Sequence, residues 1–271
     1  MKACDGQLEK QSMQCMEIRG GNRAVEEAVD VPGLEEWVYS LPYKSAASGG
    51  DVYYLSLCAS GTISRLILAD ISGHGAAVAD VAAALRLLME KNINVANHTR
   101  LVQQLNRQFA EIAETKRFAT AVVATYLTAD KSLTVCNAGH PRPLWRRADS
   151  GTWDLLGPAV GEVGNLPWGL DDETPYKQFS VRLGRGDLVV FYTDALIEAV
   201  DATGRQLGED GLLTLARGLN TEGPVQTGRA LRDAVAAHRG GREADDDFTV
   251  VAWHHKGANL RHPSVRDNVD A

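Results

Sequence analysis

The chain is poor in features that define several large protein classes. It has four cysteines in 271 residues, Cys4, Cys15, Cys58 and Cys136, and no two form a CxxC pair. That scatter excludes the common structural zinc sites and a disulfide framework. It fits reduced thiols and a cytoplasmic setting. No run approaches the roughly 18 apolar residues that cross a bilayer, so no membrane partner is expected. The opening "MKACDGQLEKQSMQCMEIRGG" has no apolar centre and is not a secretory signal. Positive charge is also in deficit. Lys and Arg number 28 against 35 Asp and Glu, for a formal net charge of −7. A nucleic-acid binder usually presents a basic surface, so no nucleic-acid partner is expected. There is no GxSxG elbow and no catalytic-cysteine signature, which leaves covalent serine or cysteine chemistry without support. Internal repeats and low-complexity segments are absent.

What remains is an ordinary globular composition, 44% apolar and 23% charged. The length suits one large domain with its own core. Residues 1–33 are polar without a clear period, and they read as a flexible lead-in with a short helix around 23–28. Residues 34–256 read as one folded domain, and 257–271 as a polar tail. "DVYYLSLC" and "ISRLILAD" are rich in β-branched, aromatic and aliphatic residues, and they flank a short turn, which predicts a hairpin. "AAVADVAAALRLLM" then switches to strong helix formers. "TRLVQQLNRQFAEIAE" places Leu101, Leu105, Phe109 and Ile112 on one helical face, with Thr99 as the expected N-cap. Two further hairpins follow, at 119–139 and 177–194, with short strands at 143–147 and 152–156 between them. Helices at 209–218 and 224–238 and a last strand at 248–255 complete the order. Consecutive hairpins interrupted by helical pairs predict an α+β fold built on antiparallel sheet.

The aspartates stand at strand ends. Asp51 opens one strand and Asp70 closes the next. Asp194 closes "LVVFYTD", and Asp245, Asp246 and Asp247 precede the final strand. A single such Asp is usually a turn or cap residue, roughly nine times in ten. Asp51 and Asp70 are different, because a hairpin brings the start of one strand beside the end of its neighbour. Clustered carboxylates repel unless a cation neutralises them. Oxygen-only donors suit Mg²⁺ or Mn²⁺, and the glycines around Asp51 and after Asp70 let a main-chain carbonyl such as that of Ile71 join. His74 and His140, near these acids in the sequence, also fit bland roles in a turn and in the core.

In this order, "GGDVYYL", "LADISGHG", "ATAVVATYL…CNAGHPRPL", "FYTDALIEA" and "DDDFTVV" resemble the bacterial SpoIIE-like branch of the metal-dependent PPM (type 2C) protein serine/threonine phosphatases. The likeness runs over about 36–255. It implies a four-layer αββα sandwich, two antiparallel sheets flanked by helical pairs, with two Mn²⁺ or Mg²⁺ ions at one end and room for a third. By position, Asp70 resembles the aspartate shared by both metals, and Ile71 would add its carbonyl. Asp51 resembles the aspartate beside the second metal. Asp194 and Asp246 resemble the pair on the first metal, with Asp247 as the alternative if the register shifts by one. Two departures stand out. Ala195 replaces the usual glycine after the ligand, and Ser72 stands where eukaryotic members often carry a histidine. His140 and His74 are then the candidate proton donors. The resemblance implies a phosphoserine- or phosphothreonine-bearing regulatory protein as substrate, such as an anti-sigma-factor antagonist. Its rivals are a catalytically weak scaffold of the same fold and a two-metal hydrolase of a small phosphorylated metabolite or nucleotide.

Overall fold

The computed structural model describes residues 8–73, 76–113, 117–157 and 165–257. Its centre is built from strands that are apolar on both faces. In β5 (Asp51–Cys58) and β6 (Ile63–Ile71), Tyr53, Leu55, Leu57, Leu66 and Leu68 face the opposite sheet. Their neighbours Val52, Tyr54, Ile67, Ala69 and Ile71 pack under helices α1 (Ala76–Lys91) and α2 (His98–Ile112). In β12 (Leu188–Tyr192), Val189 and Phe191 point inward. Leu188, Val190 and Tyr192 pack under α3 (Gly208–Arg217) and α4 (Gly223–His238). Burial on both faces explains why these strands read as continuous apolar runs rather than as alternating patterns. The result is the four-layer αββα sandwich.

The other strands are β1 (Lys10–Ser12), β2 (Ile18–Gly21), β3 (Val25–Val31), β4 (Leu34–Leu41), β7 (Ala119–Leu127), β8 (Ser132–Ala138), β9 (Leu144–Arg146), β10 (Trp153–Leu155), β11 (Phe179–Arg182) and β13 (Phe248–His255). One sheet has the order β1-β3-β4-β13-β12-β9-β10, and the other β11-β8-β7-β6-β5-β2. Pairing is antiparallel except for β1 with β3.

Several expectations need correction. The hairpin expected at 177–194 does not form, because β11 pairs with β8 in one sheet while β12 lies between β13 and β9 in the other. Residues 8–33 are not a lead-in, and no helix forms at 23–28. The segment supplies β1, β2 and β3, which pair with β3, β5 and β4. These strands lie towards the sheet edges and are only partly buried, so they lack the apolar signal of the central ones. The N-cap of α2 is Asn97 and not Thr99, because the Asn97 side chain accepts from the Arg100 amide at 2.8 Å. The tail expected from 257 lies, beyond Gly257, outside the described residues.

Helix α4 meets its sheet through a glycine. A Cβ at Gly228 would stand 2.1 and 2.2 Å from two ring carbons of Trp37, which is fully buried. Gly228→Ala is therefore expected to destabilise the fold by about 1–3 kcal/mol through overpacking. Thermal melting should show a drop of several degrees. An unchanged melting temperature would mean that α4 lifts off Trp37 without cost.

Candidate metal centre

The acids gather at one end of the sandwich because of strand register. Asp51 and Asp70 are direct partners in the β5–β6 ladder. Asp70 is also opposite Thr120 of β7. On the facing sheet, Asp194 follows the end of β12 and Asp246 precedes the start of β13, at the end where Tyr192 pairs with Val250. The Thr193 hydroxyl joins the two sheets by donating to Asp51 Oδ2 at 2.9 Å. That hydroxyl in turn accepts from the Thr249 amide at 3.0 Å, and Thr249 Oγ1 shares a hydrogen bond with Ser40. All three hydroxyl residues are buried. The threonines of "YTD" and "DFT" thus hold Asp51 in place. Sequence reasoning missed them because it looked for charge, although both occur in the motifs beside the acids.

Electrostatics set this cluster apart from turn aspartates. Burial pushes Asp51 well above the usual carboxylate range, and the neighbouring Asp70 pushes it further. Asp70 rises to about 8, first through burial and then through the charges of Asp194, Asp246 and Asp247. Asp194 rises to about 6 through burial, Glu198 and Asp246. Asp70 and Asp194 lie close enough for each to shift the other's protonation. Glu198 is a further acid at this end that the sequence reading did not single out. Among the described residues, no three His, Cys, Asp or Glu side chains form a ready-made metal cage. The acids stand instead as adjoining pairs. Such hard oxygen donors, crowded and partly out of water, fit a divalent cation that keeps several of its own waters.

Asp246 and Asp247 stand in different surroundings in the structure. Asp247 is buried, and its two carboxylate oxygens accept from the Tyr43 and Gly50 amides, each at 2.6 Å. Asp246 is partly exposed and remains the candidate ligand. Ala195 sits in a 3₁₀ turn over Asp194–Leu196 without positive φ, so the missing glycine costs no backbone strain.

His140 does not fit the role of proton donor. Its ring is buried, and Nδ1 is 2.9 Å from the Thr120 hydroxyl. Burial pushes its pKa down to about 3, so at neutral pH it is an uncharged imidazole. Asn137 brackets its backbone, accepting from the His140 amide and donating to its carbonyl, both at 2.7 Å. His140 thus stays next to Asp70, through Thr120, as a neutral packing group. His74, the other candidate, lies outside the described residues.

The profile of the family described as Stage II sporulation protein E (SpoIIE) matches residues 60–256, well over half of the chain. The chain belongs to the SpoIIE family. Among curated proteins, the phosphoserine phosphatase RsbU of Bacillus subtilis (strain 168) is 26% identical over 175 residues. The match covers 64% of this chain and 48% of RsbU, so the chain spans about half the length of that relative. The solved RsbU and RsbW domains of Rv1364c from Mycobacterium tuberculosis superpose with a TM-score of 0.69 at 25% identity. That match covers 87% of this chain and 63% of the other. RsbX, solved in complex with magnesium, superposes at a TM-score of 0.61 and 17% identity, covering 85% of this chain and 100% of RsbX. At that identity the likeness speaks for the fold alone.

Proposed function

We propose that this protein is a metal-dependent phosphatase that hydrolyses phosphoserine or phosphothreonine on a regulatory protein. The observation that carries the reading is the Asp51–Asp70 register pair, joined by Asp194 from the facing sheet. The family membership supports it, as does the name phosphoserine phosphatase borne by RsbU. An anti-sigma-factor antagonist is the substrate class that the resemblance implies.

Asp70 sits where the two halves of the cluster meet and would be shared by two ions. Asp51 and the Ile71 carbonyl would serve one of them, and Asp194 and Asp246 the other. Bound Mg²⁺ or Mn²⁺ would supply positive charge to the phosphoryl oxygens and acidify water for an in-line attack on phosphorus. The rest is the work of the chain. Bare carboxylates would repel a phosphate dianion, so the acids accept substrate only once their charge is offset. Thr193 and Thr249 fix the Asp51 rotamer and spare the site a reorganisation during reaction. His140 stays neutral and adds no positive charge of its own.

The test is turnover of a phosphoserine peptide with Mn²⁺ or Mg²⁺, with chelator, and against a cyclic dinucleotide. Metal-dependent release of phosphate from the peptide, with the dinucleotide untouched, is the expected result. Turnover that survives chelation would overturn the mechanism, and preference for the dinucleotide would overturn the substrate class.

A further inference from the structure

The strap Gly49-Gly50-Asp51 is held by two side chains outside the four candidate ligands, Asp247 and Asn22. It belongs to the 42–50 connection, which carries the chain from β4 in one sheet to β5 in the other. Two successive non-glycine residues in this connection, Lys44 and Ser45, have φ of 50° and 53°. Such a backbone persists only where its surroundings hold it.

Asp247 supplies one grip. It lies on the sheet opposite Asp51, yet its carboxylate accepts from the amides of Tyr43 and Gly50, at the two ends of the connection. The fit is close, since a Cβ on Gly49 would come within 2.3 Å of Asp247 Oδ1. Asn22 supplies the other grip. It follows β2, in the segment that sequence reading treated as a lead-in, and it lies outside the matched 60–256. Its side-chain amide donates to the Gly49 carbonyl at 3.0 Å and to the Ala79 carbonyl of α1 at 3.4 Å. The Gly49 amide returns a bond to the Asn22 carbonyl at 2.9 Å.

Gly50 passes this grip on to the site. A Cβ there would meet Val78 of α1 at 3.0 Å, the Ile71 carbonyl at 3.2 Å and the Gly73 carbonyl at 3.4 Å. The strap therefore lies directly against the carbonyl of Ile71, and its next residue is Asp51. We propose that Asp247 and Asn22 are positioning residues that grip the Gly49-Gly50 strap from opposite sides and so set Asp51 against the Ile71 carbonyl. Neither is itself a ligand. The proposal rests on the metal-site reading above, and its test separates the two.

Asp247→Asn keeps the shape but leaves a single acceptor oxygen, so one of the two amides loses its partner. Hydrogen exchange on the metal-free protein should show faster exchange at Tyr43 or Gly50. Titration with Mn²⁺ should show affinity weakened about tenfold or more at unchanged stoichiometry, the range seen when groups behind ligands are removed. Asn22→Ala, remote from the acids in sequence, should weaken Mn²⁺ binding in the same direction while the fold persists by circular dichroism. Raising Mn²⁺ should restore turnover in both variants. Several results would overturn the proposal. One is unchanged exchange at both amides. A second is unchanged Mn²⁺ affinity with only a lowered melting temperature, which would make the grip purely structural. A third is loss of one bound ion in Asp247→Asn that excess metal does not restore, which would make Asp247 a ligand. If the wild-type protein itself binds no Mn²⁺, the metal-site reading falls, whereas the exchange measurement still decides whether Asp247 holds the strap.

Discussion

Asp70→Asn is expected to abolish metal-dependent turnover while leaving the fold intact. Asparagine has the same shape as aspartate, and the β6 backbone keeps its ladders with β5 and β7. What changes is charge and donor capacity at the one acid that adjoins both Asp51 and Asp194. A shared ligand serves both halves of the cluster, so its loss should affect both ions. Calorimetric titration with Mn²⁺ should show both affinities reduced, and phosphopeptide turnover should fall at least about a hundredfold, beyond the usual effect of removing a group behind a ligand. Asp246→Asn makes the comparison informative. It sits on one side of the cluster, so one ion should be lost and the other kept. If Asp70→Asn retains both ions at wild-type affinity, Asp70 is not shared and returns to the ordinary status of a strand-end aspartate.

The parts of this site that could be read from sequence are those in which local pattern and tertiary role coincide. The central strands are apolar on both faces, so their ends were clear and the acids at those ends stood out. The hairpin then made the Asp51–Asp70 pairing a matter of counting. Other parts depended on packing that no local pattern records. "KQS", "IRGG" and "VEEAVDV" are short or mixed in polarity, and they become strands because β5, β4 and β3 offer them partners. Asp246 and Asp247 look alike in sequence. One is partly exposed and the other buried against two amides only because the 42–50 connection passes over that position. His140 became a candidate proton donor because Ser72 stands where eukaryotic members often carry a histidine, and the burial that keeps its ring uncharged is not recorded in any local pattern. The hydroxyls of Thr193 and Thr249 carried no charge to attract notice, yet they join the two sheets at Asp51.

The raised carboxylates predict an unusual pH dependence for the metal-free protein. Asp70 and Asp194 titrate near 8 and 6 in the fold, but near 3.9 in an unfolded chain. Between these limits the unfolded chain has lost protons that the fold retains, so stability falls as pH rises. The loss begins near pH 4 and is complete above about pH 8, opposite in sign to that of a salt-bridged aspartate. The metal-free protein should therefore melt at a higher temperature at pH 5.5 than at pH 8. Mg²⁺ or Mn²⁺ should raise the melting temperature more at pH 8, since binding takes over from protons at the same oxygens. Glu36 contributes with the same sign, because burial pushes it to about 8 within the inter-sheet core. Glu36→Gln separates the two contributions, since its effect should not respond to metal. Asp70→Asn should remove much of the alkaline loss and stabilise the metal-free protein at pH 8 by several degrees, even as it removes function. Melting curves at the two pH values, with and without metal, decide the matter. A metal-free protein that gains stability from pH 5.5 to pH 8 would show that these acids are ionised and already balanced within the fold, and the case for a cation at this end of the sandwich would lose its electrostatic basis.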